Sequence, residues 1–122
     1  MKAKILVVED EPDFVKFLRS ACKNELPFLE ADFAANGFEA LLQIVKKPKM
    51  YSLVVTDVAM TPISGDDLIT ILNILNKYAI TNLKILTISG KVEDRPGDFI
   101  EKPFTAIEFG AKVSELLDSD EA

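Results

Sequence analysis

The sequence predicts an α/β fold, a doubly wound five-stranded parallel sheet in the order 2-1-3-4-5, and three observations carry that expectation. Short runs of branched and aromatic residues alternate with segments whose apolar residues recur at helical spacing. Cap and turn residues fall at the junctions, and several of the short runs end on residues able to handle a phosphate. In an open parallel sheet the loops beyond the carboxyl ends of the strands lie together, so those ends converge on one site.

The elements follow in chain order. Lys4 to Val8 has the length and composition of a buried strand, and Pro12 after Glu9-Asp10-Glu11 suits a first helical turn. Phe14, Phe17, Leu18, Ala21 and Cys22 then give a helix one apolar stripe. A second strand is expected over Leu29 to Ala34, a turn at Asn36-Gly37, and a helix whose stripe is Phe38, Leu41, Leu42 and Val45. The third strand, Leu53 to Asp57, precedes a helix striped by Leu68, Ile71, Leu72 and Leu75. Strands at Lys84 to Ile88 and Asp98 to Glu101 complete the sheet. Thr105-x-x-Glu108 after Pro103 reads as a capping box opening a last helix striped by Ala106, Phe109, Val113, Leu116 and Leu117. One unit is incomplete. Ser89 to Gly97 is too short for a crossover helix with its loops, so the helix between strands 4 and 5 is expected to be absent or reduced to about a turn.

Bulk properties bound the function. A chain of 122 residues, 48% hydrophobic and 28% charged, suits one domain over 1-122, with 118-122 as a solvated acidic tail. Fourteen basic against twenty acidic residues leave a net charge of -6, which argues against nucleic acid or an anionic membrane as partner and favours cations or basic protein surfaces. The single cysteine, Cys22, sits on an apolar helix face and reads as a small hydrophobe. No apolar stretch approaches the roughly 20 residues of a membrane span, and Ile5 to Val8 is stopped at once by acids, so a cytoplasmic protein is expected.

The chemistry concentrates at strand ends. If the first and third strands are neighbours, as in the flavodoxin-like order, Glu9, Asp10 and Asp57 come close together. Like charges about 4 Å apart repel by ~4 kcal/mol at an effective dielectric of 20, so such a cluster calls for a proton, a basic residue or a metal ion. An oxygen-only donor set points to Mg2+; taken without Asp57, Glu9, Asp10 and Glu11 would merely start a helix, where negative charge suits the dipole. A carboxylate can attack phosphorus to give an aspartyl phosphate, whose oxygens then need donors; Ser89 offers a hydroxyl and Lys102 an ammonium.

These residues, with the motifs Ile5-Leu6-Val7-Val8-Glu9-Asp10-Glu11, Ala35-Asn36-Gly37-Phe38-Glu39-Ala40-Leu41, Val54-Val55-Thr56-Asp57-Val58-Ala59-Met60, Gly65, Ile85-Leu86-Thr87-Ile88-Ser89-Gly90 and Glu101-Lys102-Pro103-Phe104, give a pattern that resembles the receiver domain of two-component response regulators. The resemblance covers essentially the whole chain. It implies that Asp57 is the phosphoacceptor in a phosphorelay, that Glu9, Asp10, Asp57 and the backbone carbonyl of Ala59 hold Mg2+, and that Ser89 and Lys102 contact the phosphoryl group. It further implies a switch pair, Ser89 and Phe99, and a donor phosphohistidine on a sensor histidine kinase or histidine phosphotransfer protein. This chain has no histidine of its own. Three departures from the family stand out. Met60-Thr61-Pro62 displaces the usual proline, the 89-99 link is short, and Ala59 and Lys91 occupy variable positions beside the site.

Other functions are conceivable on the same residues. A hydrolase of the haloacid dehalogenase type also uses an aspartyl phosphate, but wants an acid where Ala59 stands and a nucleophile after the first strand. A phosphate-independent interaction domain that kept the fold is the chief alternative, motivated by the short link and by Phe99, which lacks a hydroxyl. A flavin carrier is disfavoured, because acids rather than a Ser, Thr and Gly-rich loop follow the first strand.

Overall fold

The computed structural model describes residues 3–59, 63–90 and 97–118. Its elements are β1 (Ala3–Val8), α1 (Pro12–Glu25), β2 (Leu29–Ala34), α2 (Gly37–Lys46), β3 (Leu53–Asp57), α3 (Gly65–Lys77), β4 (Lys84–Ser89), β5 (Asp98–Glu101) and α4 (Ala106–Asp118). All pairings are parallel, in the order β2-β1-β3-β4-β5. The predicted class and order hold. The one strand boundary that moves at the site is that of β4, which runs through Ser89 instead of stopping at Ile88.

Alternating side chains divide the core between the two faces of the sheet. Ile5, Val7, Val55, Leu86 and Ile88 pack under α1 and α4, around the fully buried Phe109. Leu6, Val8 and Val54 pack on the other face under α2 and α3, with Ala40, Ile44, Leu68 and Leu72. The central strand β3 is buried at every position, as expected of a parallel strand covered on both sides.

Helix starts are fixed by side chains that satisfy otherwise unpaired N–H groups. Glu11 caps α1, accepting from Asp13 and Phe14, with Pro12 at the first helical position. Asn36 and Ser64 cap α2 and α3. Thr105 and Glu108 exchange the two hydrogen bonds of a capping box, at 3.1 and 2.9 Å.

The second helix departs from expectation. Its buried face is Gly37, Ala40 and Ile44, while Phe38, Leu42 and Val45 are exposed and only Leu41 of the predicted stripe packs toward the core. Both stripes have helical period. Small residues let the helix lie close on β1 and β2, so the core took the narrower stripe.

Among the described residues no helix separates β4 from β5, and residues 91–96 of that link lie outside them. A groove of about 420 Å³ opens there, lined by Ile69, Thr70 and Asn73 of α3 and by Ile85, Thr87 and Gly97. None of the described helices is long and apolar enough to cross a membrane.

Candidate functional site at the carboxyl ends of β1, β3, β4 and β5

Asp57 ends β3 with its carboxylate only 7% exposed, and Lys102, one residue beyond β5, places Nζ 2.7 Å from its Oδ2. The other oxygen, Oδ1, accepts from the Ala59 N–H at 3.0 Å. Burial opposes ionisation of Asp57. The Lys102 and Ala59 hydrogen bonds more than offset that penalty and hold its carboxyl below the usual carboxylate range.

The three consecutive acids after β1 have separate fates. Glu11 is spent on capping α1, which realises the helix-starting role for one of them. Asp10 is exposed. Glu9 is 3% exposed, held by a bond from its N–H to the Ala34 carbonyl. Its Oε1 accepts from the Glu11 N–H at 3.3 Å, whereas Oε2 is buried without a hydrogen-bond partner. Burial first, and then the charge of Asp57, push the Glu9 pKa up to about 7. No group of three or more His, Cys, Asp or Glu side chains is gathered in metal-holding geometry among the described residues. Lys102 supplies a cationic charge beside Asp57.

Lys102 is aimed from both ends. Its N–H donates to the Ser89 carbonyl at 2.7 Å, which ties its backbone to the end of β4, and Nζ stands 4.5 Å from the centre of the Phe14 ring. Phe14 belongs to an aromatic cluster with Phe17 and Phe104, and Phe104 stacks in turn on Phe109. Sequence reasoning assigned Phe14 only to a core stripe and gave Phe104 no role. Their signal was the position of one four residues after Asp10 and of the other two after Lys102. Ser89 is buried at the end of β4, and Phe99, half-buried, pairs in register with Thr87. Ala59 is exposed beside the site, while Met60-Thr61-Pro62 and Lys91 lie outside the described residues. Thus Glu9, Asp57 and Lys102 interact directly, and Ser89 joins them through the Lys102 backbone.

A model of the response regulator receiver domain matches residues 5–114. The chain belongs to that family. Receiver domains are modules of two-component systems and are regulatory, not classical enzymes. This receiver domain is similar to part of the sensor histidine kinase TmoS of Ectopseudomonas mendocina, at 29% identity over 123 residues, 93% of this chain and 12% of the relative. It is similar to the transcriptional activator protein IrlR of Burkholderia pseudomallei at 34% over 121 residues, 93% of this chain and 50% of the relative. The chain therefore spans half or less of the length of these curated relatives. Among solved structures, a probable two-component system response regulator/GGDEF domain protein superposes with a TM-score of 0.83 at 26% identity, covering 98% of this receiver and 51% of that chain. Chemotaxis response regulator CheY4 of Vibrio cholerae shares the fold, with a TM-score of 0.78 at 20% identity over 95% of this receiver and 99% of that chain.

Lys102 makes a first test of the receiver's electrostatics. Lys102→Met leaves the Asp57 carboxylate beside Glu9 with no cation in contact among the described residues, and the expected loss of stability at neutral pH is about 1–2 kcal/mol, moderated because Lys102 is half-exposed. Urea unfolding at pH 7.5 measures it. A stability equal to wild type would show that the pair contributes nothing to the fold.

Proposed function

We propose that this receiver accepts a phosphoryl group on Asp57 from a phosphohistidine of a sensor histidine kinase or histidine phosphotransfer protein. The observation that carries this reading is the 2.7 Å Lys102–Asp57 pair, which keeps a buried carboxylate ionised at the end of β3 and so nucleophilic. In the transfer, an Asp57 oxygen bonds to phosphorus as the phosphorus–nitrogen bond of the donor breaks, and the imidazole nitrogen regains a proton. Lys102 then follows the new charge to a phosphoryl oxygen, and the Ser89 hydroxyl donates to another.

The chemistry of the donor set suits a hard divalent cation: Glu9, Asp10 and Asp57 offer only oxygen, and the Glu9 Oε2 atom is buried beside the Asp57 carboxylate with no donor of its own, although the three carboxylates are not gathered in metal-holding geometry among the described residues. Glu9, Asp10, Asp57 and the Ala59 carbonyl would hold Mg2+. When bound, it would neutralise charge developing on the phosphoryl oxygens. Movement of Ser89 toward the phosphate would free space for Phe99, altering the surface beside the groove between α3 and β5. The readout is a change in protein–protein contact within the cytoplasm, with an unidentified target.

Incubation with acetyl phosphate and Mg2+, followed by intact-mass spectrometry, tests the reading: wild type gains a phosphoryl adduct and Asp57→Asn does not. Labelling of neither would refute it. The short link between β4 and β5 favours, as a second reading, an interaction domain indifferent to phosphate. Equal affinity for a captured partner with and without beryllium fluoride would select that reading.

A further inference from the structure

We infer that the exposed face of α2 is a self-docking surface on which a second copy of this chain lies antiparallel, through a two-fold axis crossing near Leu42. Phe38, Leu42 and Val45 are 56%, 44% and 55% exposed. Their i, i+4, i+7 spacing puts them in one stripe along the helix, the spacing of a helix–helix seam. A stripe of three large apolar side chains on one exposed face calls for a cover.

The charges beside the stripe select the occupant. Glu39 and Lys46 are both exposed and seven residues apart, so they occupy the same flank of the stripe, the acid in the first turn and the base in the last. Lys46 makes no ion pair among the described residues. In an antiparallel pair of helices like flanks face each other, and reversed direction sets Glu39 of each copy against Lys46 of the other. An axis at Leu42 stacks the two Leu42 side chains and brings Phe38 of one copy over Val45 of its mate. Apolar stripe and charges are thus complementary to themselves under a single two-fold rotation. A parallel arrangement would instead turn this flank toward the opposite flank of the mate, where the Glu39–Lys46 pairing is lost.

Three side chains make a small patch against the roughly 800 Å² per partner of a standard interface, so the dimer is weak. It involves none of the residues around Asp57, and Asp57→Asn should dimerise as wild type does, which separates this inference from the phosphoacceptor reading. Sedimentation velocity from about 10 μM to 1 mM tests it, with circular dichroism to verify folding. Wild type should shift toward dimer over that range, and Leu42→Asp, at an exposed position, should stay monomeric. Lys46→Glu, which leaves the Asn36–Glu39 cap intact, should weaken the dimer about tenfold. Adding Glu39→Lys should recover most of that loss. Wild type that stays monomeric at 1 mM, a dimer that survives Leu42→Asp, or a double variant no better than Lys46→Glu alone would each overturn the inference.

Discussion

Gly65→Ala is expected to destabilise the protein by about 3 kcal/mol and to disable the site at the same time. A Cβ at position 65 would lie 2.1 Å from the Asp57 carbonyl oxygen, 2.6 Å from the Val58 Cα and 2.8 Å from the Asp57 carbonyl carbon. All three are backbone atoms, so no side-chain rotation relieves the overlap. Either the start of α3 moves outward, breaking the 3.1 Å bond from the Gly65 N–H to the Val58 carbonyl, or the end of β3 moves. Displacing β3 shifts Asp57 against Lys102, and misplacement near 1 Å at a reacting group costs on the order of a hundredfold in rate. Urea unfolding and the rate of acetyl phosphate labelling measure the two losses. Gly90→Ala is the control, since a Cβ there meets nothing within 4 Å. A Gly65→Ala protein within about 0.5 kcal/mol of wild type would show that the helix start yields more freely than close packing allows.

That glycine marks the boundary of what the sequence could reveal. Its place in a family motif was visible, but the reason for it, a helix start pressed against the strand that carries Asp57, is a contact between backbones and leaves no periodicity. The parallel sheet was legible because short branched runs alternate with helical stripes, and the end where the site lies because those runs finish on chemistry-bearing residues, whereas the strand order came from the flavodoxin-like pattern. The orientation of α2 was not legible. Phe38, Leu42 and Val45 and the set Gly37, Ala40 and Ile44 are equally helical in spacing, and hydrophobicity alone favours the larger residues. Packing decided for the smaller ones. At the site, the meeting of Asp57 with Lys102 followed from strand ends, whereas the division of labour among Glu9, Asp10 and Glu11 did not. That division depends on which of three consecutive side chains points inward at the turn leaving β1.

The inward-pointing one dictates the pH response. Metal-free protein is expected to lose stability as pH rises from about 5 to 8, and Glu9→Gln to remove that loss. The folded-state pKa of Glu9, about 7, lies above its ordinary value of 4.5, so folding favours the protonated form. The stability it contributes is complete below about pH 4.5 and disappears as pH climbs through about 7. Asp57 acts oppositely, since its lowered pKa adds stability above its ordinary value of 3.8, and what it contributes is lost only on acidification below that window. The chain has no histidine, and burial pushes the Cys22 thiol up to about 11, so neither imidazole nor thiol titration overlaps that window. A shift of this size corresponds to about 3 kcal/mol at most, and relaxation around a site open at Asp10 should reduce the observed fall to about 1–2 kcal/mol. Glutamine keeps the acceptor for the Glu11 N–H and offers an amide toward Asp57 in place of a charge. Its unfolding free energy should be nearly flat over the interval and exceed wild type by about 1–2 kcal/mol at pH 8. If Glu9 also serves Mg2+, millimolar Mg2+ should restore wild-type stability most strongly at pH 8, where the carboxylate is free of its proton, and should help Glu9→Gln far less. Parallel pH profiles for the two proteins in EDTA would mean that Glu9 is ionised in the folded state at no cost, and that the orphaned oxygen is solvated.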